Sequence, residues 1–177
     1  METETTPPAG KGTLHPLVGR PLAFLQNAWV RDPDRLCETL ARHDEAFRLV
    51  MLRRLLFSGC VTGRRLRIAF GPLCEQIVWE ECTREIAGDP RTILPADRVH
   101  IAAAILRHAP CVVIAFGKHA ADAVARLPNA GDIPLIFAPH PAARQPATMA
   151  MLKTAADRVR VHAANAPREG LLKSAGV

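Results

Sequence analysis

The chain has 177 residues, of which 49% are hydrophobic, enough for one folded domain with a full core and too few for two of ordinary size. Its 23 Lys and Arg residues outnumber its 17 Asp and Glu residues, and the resulting formal net charge of +6 favours a polyanionic partner such as nucleic acid. The five cysteines form no C-x-x-C pair, which excludes a typical disulfide scaffold, and we expect neither a metal site nor a cofactor.

The two ends of the sequence lack a periodic apolar pattern. Residues 1–16 predict a flexible N-terminal arm, residues 17–166 a single domain, and residues 167–177 a C-terminal tail. No apolar run approaches the roughly 20 residues that a membrane span requires. Acidic residues and prolines stand where a signal peptide would be basic and then apolar. We therefore expect a cytoplasmic monomer, associated with the nucleoid if bacterial or phage-encoded, with no obligate protein partner.

Four short apolar runs predict strands. They are "PLAFLQ" (21–26), "EQIVWE" (75–80), "CVVIAFG" (111–117) and "IPLIFAP" (133–139). Their length and their lack of strict alternation are typical of strands that are buried on both faces, as in a parallel sheet.

The segments between these runs carry helix signals. Residues 32–57 begin with Asp32 as a possible N-cap and Pro33 in the first turn, and continue with apolar residues at near-helical spacing. Further helices are predicted within 94–110, ending before Pro110, within 117–132, stopped by Pro128, and within 145–164. Strands alternating with helices indicate a three-layer α/β/α sandwich around a mostly parallel sheet of about four strands.

Ligands of such sheets bind beyond the carboxyl ends of the strands. The residues that directly follow the four predicted strands include an amide, an indole, two carboxylates, a glycine at a helix start, a histidine and an arginine. In chain order they are Asn27, Trp29, Glu80, Glu81, Gly117, His140 and Arg144. Together these groups would form a candidate active site.

The order of these elements resembles the uracil-DNA glycosylase superfamily, most clearly over residues 91–159. This region is similar to that family's strand ending in glycine before a small-residue helix, and to its strand ending in a His-Pro motif. "LAFLQNAWV" and "FSGCVTGRRLRIAFG" match more weakly. The family typically has His-Pro-Ser followed by a wedge residue, whereas this chain has Ala142 after His140 and Pro141.

The resemblance implies hydrolysis of the N-glycosidic bond of a base flipped out of DNA. It makes His140 the hydrogen-bond donor to the departing base oxygen and Asn27 the residue that orients the attacking water. Two other interpretations stay open, namely a structural histidine in a proline-rich turn and an amide that caps a turn. Asp32 and Asp34 are possible substitutes for Asn27, although a helix N-cap is the more common use of Asp32.

The resemblance also implies a pocket for the base. Its predicted residues are Gln26, Trp29, Phe57, Glu80 and Glu81. The family often has an Asn after the second strand, where this chain has the two glutamates. A carboxylate would accept from uracil N3–H but repel O4 unless it is protonated. Stacking would involve Phe57, Trp29 or Trp79, of which Trp79 is more typical of a core residue.

The DNA contacts implied by the resemblance lie in three segments. Arg144 occupies the wedge position, with Ala143 and Gln145 beside it, while Arg64 and Arg65 lie near one helix start and Lys118 at another. Solvent-facing charges are the alternative interpretation for all four basic residues. At the level of function, two alternatives stay open: a superfamily member that binds DNA or abasic sites without efficient catalysis, and an unrelated α/β protein that binds small molecules.

Overall fold

In a computed structural model, residues 17–127 and 132–166 are described. The predicted arm (1–16) and tail (167–177) lie outside the described residues. All four predicted strands are confirmed, as β1 (Leu22–Leu25), β2 (Val78–Glu81), β3 (Val113–Phe116) and β4 (Leu135–Ala138). They form one parallel sheet in the order β2-β1-β3-β4.

In residues 17–127 and 132–166, six α-helices connect and cover the strands. They are α1 (Pro33–Ala41), α2 (Glu45–Leu56), α3 (Val61–Phe70), α4 (Arg98–His108), α5 (Lys118–Ala125) and α6 (Thr148–Asn165), and a short 3-10 helix spans Gly71–Glu75. Asp32 caps α1 by accepting a hydrogen bond from Arg35 N at 3.2 Å, as predicted. The helical segment 32–57 is divided, because Asp44 begins a second helix by accepting from Phe47 N at 2.9 Å.

Two apolar cores flank the sheet and make the three layers. One core packs Trp79, Ile114 and Phe116 of the strands against α3 and α6. The other packs Phe24 and Val113 against α4 and α5. Helix α2 covers the β2 edge and contributes to both cores. The strands, buried on both faces, therefore read as continuous apolar runs rather than as alternating ones.

The strand register brings the carboxyl ends to one edge of the sheet. Leu25 pairs with Glu81, and Phe116 pairs with Ala138. The chain leaves β1 toward β2 on one side and leaves β3 toward β4 on the other. The connections thus diverge between the two central strands, which is where parallel α/β sheets open a crevice.

Candidate active site

A cleft of about 740 Å³ opens at this edge of the sheet. Its walls come from the segments that follow β1, β2 and β4 and from the corner between α2 and α3. Five of the predicted site residues line it, namely Gln26, Asn27, Trp29, Glu81 and His140. The strand-end rule therefore located the cleft, although it did not decide how each side chain is used.

The His140 side chain is held in a tight turn. Ala143 N donates to the His140 carbonyl at 2.8 Å, and Ala142 N donates to His140 Nδ1 at 3.2 Å. Burial lowers the pKa of His140 below its usual 6.5, so the imidazole is neutral at pH 7. Because a backbone N–H can only donate, Nδ1 is the acceptor and the ring proton lies on Nε2. His140 is therefore a neutral N–H donor at the cleft.

Two residues on other elements fix this turn. Arg65 of α3 donates from one guanidinium nitrogen to the carbonyls of Pro141 at 2.9 Å and Ala143 at 2.6 Å. Gly117, at a φ of +84°, precedes α5, and a Cβ built there would lie 3.1 Å from His140 Cβ. The glycine thus provides both the left-handed backbone and the space that the histidine occupies.

The Asn27 amide ties the loop after β2 to the end of β1. Its Nδ2 donates to Thr92 O at 3.3 Å, and its Oδ1 accepts from Leu94 N at 3.2 Å. A longer contact of 3.4 Å joins Gln26 Nε2 to the same oxygen. Asn27 therefore lines the cleft, as a water-orienting residue requires, and also holds a loop by hydrogen bonds, as a turn-capping amide does.

Glu81 is a buried acid that lines the cleft, with only 7% of its surface exposed. Among the described residues, no group donates a hydrogen bond to its Oε2. Burial and, second, the neighbouring charge of Glu80 raise its pKa to about 8, against an opposing effect of Arg48. At neutral pH the side chain is consequently a carboxylic acid, which both donates and accepts.

Glu80 lies on the opposite face of the sheet and does not line the cleft. Its carboxylate contacts His100 Nε2 at 3.5 Å, His108 Nε2 at 3.6 Å and Arg107 at 3.7 Å. Burial acts to raise its pKa, but the two imidazoles and Arg48 outweigh that effect and lower the pKa to about 2. The expected position of Glu80 in a base pocket is therefore corrected: adjacent residues of a strand point to opposite faces.

The three aromatic candidates occupy different environments. Trp29 is 44% exposed and lines the cleft, on a segment that pairs with Ala87. Trp79 belongs to the core, where its indole N–H donates to Cys74 O at 3.0 Å. Phe57 is not among the cleft residues and packs edge-on against Trp79, with ring centroids 5.5 Å apart. Of the three, only Trp29 lines the cleft.

The predicted DNA-binding residues are spread over the surface near this edge. Arg64, Arg144 and Gln145 are exposed and are not among the residues that line the cleft. Lys118 is exposed and pairs with Asp122 one turn along α5. Arg65 and Ala143 take part in the His140 turn, so the Arg65 guanidinium serves the protein backbone.

Two exposed arginines of the cleft wall, Arg31 and Arg91, were not predicted. Arg31 lies two residues after Trp29 in the segment that follows β1, so the strand-end rule already covered it, although no role was predicted for it. Arg91 lies in the long loop after β2, where no periodic pattern marks it.

Other features of the described residues bear on cofactors and membranes. Within 17–127 and 132–166, no group of three or more His, Cys, Asp or Glu side chains is placed to hold a metal ion. The cysteines are free thiols, and burial raises the pKa of Cys74 to about 11 and of Cys82 to about 12. No helix in the described part of the chain is long and apolar enough to cross a membrane.

Comparisons with protein-family models, with curated proteins and with solved structures gave no match.

Proposed function

We propose that the protein is a DNA glycosylase that hydrolyses the N-glycosidic bond of a uracil, or of a related damaged or modified pyrimidine, flipped out of DNA. The observation that carries the proposal is the convergence of Asn27, Trp29, Glu81 and His140 on one cleft from the ends of three strands. The volume of about 740 Å³ lies within the range of pockets that enclose small organic ligands.

His140 supports the step in which the base leaves. Breaking the glycosidic bond places negative charge on the pyrimidine O2 oxygen. A neutral imidazole with its proton on Nε2 donates a hydrogen bond to that oxygen, and its turn is already locked by Ala142, Ala143 and Arg65. Such a preorganised donor stabilises developing charge without rearranging during the reaction.

The cleft favours departure of the base ahead of attack by water. Glu81 is the only acid among the described residues that line it, and at neutral pH it is protonated and cannot act as a base. Asn27 can orient water but cannot accept its proton. A water on Asn27 Oδ1 would replace the 3.4 Å contact from Gln26. Stabilisation of the leaving group therefore supplies most of the rate enhancement.

Trp29, Arg31 and Arg91 support binding of the nucleic acid. The exposed Trp29 indole is suited to stack on an extruded base, and stacking on an aromatic ring contributes about 1–3 kcal/mol per base. Arg31 and Arg91 are exposed at the cleft wall, where guanidinium groups can meet phosphates. The net charge of +6 agrees with this arrangement.

Incubation with oligonucleotides followed by alkaline cleavage of abasic sites tests the proposal. The substrates are single- and double-stranded DNA containing uracil, hypoxanthine or 5-modified uracils. We expect strand breaks with the wild type and a loss of rate of about 10²–10³-fold in His140→Ala, the cost of removing one preorganised donor. His119→Ala, an exposed histidine on α5 outside the cleft, is the matched control and should keep the wild-type rate. No strand breaks with any substrate would refute the proposal.

A second function is favoured by one observation. Because both polar atoms of the Asn27 amide already have partners in its own loop, the cleft could bind DNA or an abasic site without efficient hydrolysis. Salt-sensitive binding without strand breaks in the same experiment would select this function.

A further inference from the structure

Helix α4 presents an apolar stripe to solvent. Val99 is 80% exposed and Leu106 is 76% exposed, the two largest values among the large apolar side chains of the described residues. Because Ala103 is also exposed and lies between them at helical spacing, these three residues form one stripe, the α4 stripe. The opposite side of the helix supplies Ile101 and Ala104 to the core. A surface helix ordinarily carries polar residues on its solvent side, so the core does not explain the α4 stripe.

The α4 stripe lies apart from the cleft. None of its residues is among those that line the cleft. At the C-terminal end of α4, Gly19 N donates to the His108 carbonyl at 3.0 Å and brings the exposed Val18 to that end of the helix. Apolar side chains that gather on a surface mark sites of interaction with other molecules. The α4 stripe is therefore a candidate interaction surface that is separate from the cleft.

The charges beside the α4 stripe are positive. Arg98 and Arg107 lie on its two sides, the exposed Arg20 follows Val18, and α4 contains no acidic residue. Arg107 is paired with Glu45 at 3.3 Å, whereas Arg98 is in none of the ion pairs of residues 17–127 and 132–166. Asp97, the preceding residue, caps the helix by accepting from two backbone N–H groups. The surface thus combines an apolar centre with basic flanks.

We propose that the α4 stripe docks an acidic amphipathic helix of a partner protein. Apolar side chains of the partner pack on the stripe, and its carboxylates face Arg98 and Arg20. A second copy of this chain does not fit, because a symmetric contact would bring the same basic flanks together with no acid of α4 between them. A helix of 11 residues offers less than the roughly 800 Å² per partner that stable complexes bury, so the contact is reversible.

Two other occupants fit the α4 stripe less well. The first 16 residues of the chain contain three prolines, and Met1 and Leu14 are their only large apolar residues, so they lack the pattern of an amphipathic helix. A membrane with anionic lipids would also attract basic flanks. The stripe has one leucine and no aromatic residue, however, which is little apolar surface for a helix that lies in a membrane interface.

Fluorescence anisotropy of the full chain with a labelled synthetic peptide tests the proposal. The probe is an amphipathic helix of about 18 residues, with leucines along one side and glutamates and alanines elsewhere. We expect saturable binding that weakens as salt is added, because part of the attraction is between exposed charges. Leu106→Asp and Arg98→Glu should each weaken binding by about tenfold or more.

Two matched variants on α6 control for the added negative charge. Val161→Asp changes a side chain that is 59% exposed, and Arg158→Glu changes an exposed arginine. Both should bind the peptide as the wild type does. All four substitutions replace exposed side chains, so thermal unfolding should match the wild type.

The inference is wrong if the wild type does not bind the peptide, or if the α6 variants lose as much affinity as the α4 variants. It is also wrong if a peptide of the same composition, with leucines distributed around the helix, binds equally well. Binding of phosphatidylcholine–phosphatidylserine vesicles that is lost in Leu106→Asp, without peptide binding, would assign the stripe to a membrane surface instead. Leu106→Asp should leave strand cleavage unchanged, so the outcome does not depend on the proposed function.

Discussion

Glu80 and Glu81 are neighbours in β2 but lie in opposite environments. On the α4 and α5 face, Glu80 is surrounded by His100, Arg107 and His108, and its pKa is about 2. On the cleft face, Glu81 has no such partners, and its pKa is about 8. The carboxyl of Glu80 lies beside basic side chains in the protein interior, whereas the carboxyl of Glu81 lies at the wall of a ligand-sized cleft.

The cleft face holds its polar groups in position through the backbone. Gly117 leaves space for His140, and Arg65 clamps the turn that carries it. Neither residue neutralises a charge in the cleft. The two faces should therefore respond differently to substitution.

The largest effect is expected from Glu80→Ala. This substitution removes the buried carboxylate that lies beside His100, Arg107 and His108, at a cost of about 3–5 kcal/mol in the free energy of unfolding. Urea denaturation at pH 7 measures it, with Glu85→Ala, an exposed glutamate, as the control. A loss below about 1 kcal/mol would show that the cluster on this face does not stabilise the fold.

The two glutamates should give opposite pH dependence of stability. Between pH 4.5 and about 8 the native state keeps a proton on Glu81 that the unfolded chain has released, so wild-type stability falls as pH rises. The slope is at most about 1.4 kcal/mol per pH unit. The pKa of Glu80 is lowered in the native state, so the stability that its carboxylate contributes is lost as pH falls from 4.5 toward 2.

Thermal unfolding of the wild type and of Glu81→Gln from pH 5 to pH 8 measures the first slope. The variant should become progressively more stable than the wild type as pH rises, since glutamine does not ionise. Parallel curves would place the pKa of Glu81 near its ordinary value and remove the contrast between the faces.

A smaller effect is expected from Gly117→Ala. The φ of +84° strains any residue with a Cβ, and the new methyl carbon would lie 3.1 Å from His140 Cβ. We expect the free energy of unfolding to fall by about 1–2 kcal/mol. We also expect the His140 side chain to be displaced, and fewer DNA strand breaks to form in the oligonucleotide assay. In Gly88→Ala the new Cβ would only reach the Pro33 side chain, at 3.6 Å, so stability should change little. Equal effects of the two substitutions would contradict the assigned role of Gly117.

The smallest effect on stability is expected from Arg65→Gln. Loss of the two hydrogen bonds to Pro141 and Ala143 should cost about 1 kcal/mol and loosen the His140 turn. Arg64→Gln, at the exposed neighbouring position, should leave stability within about 0.5 kcal/mol of the wild type. If Arg64→Gln lowers stability as much as Arg65→Gln does, the clamp is not what stabilises the turn.

Local signals in the sequence predicted the architecture well. The apolar runs located all four strands, and Asp32 marked the start of α1. The division of segment 32–57 was missed, because continuous apolar spacing hid Asp44, which caps α2. These successes and this failure concern contacts within a few residues, where periodicity and capping chemistry are directly readable.

The sequence alone determined that the chain builds a parallel α/β sheet and that Asn27, Trp29 and His140 follow its strands. Only the tertiary structure decided that Glu81 rather than Glu80 lines the cleft, and that Arg65 rather than Arg64 clamps the turn 76 and 78 residues away. Alternation along a strand or helix shows that neighbours face different ways. Which of two neighbouring side chains faces the cleft depends on how distant elements pack, and the local sequence does not encode that packing.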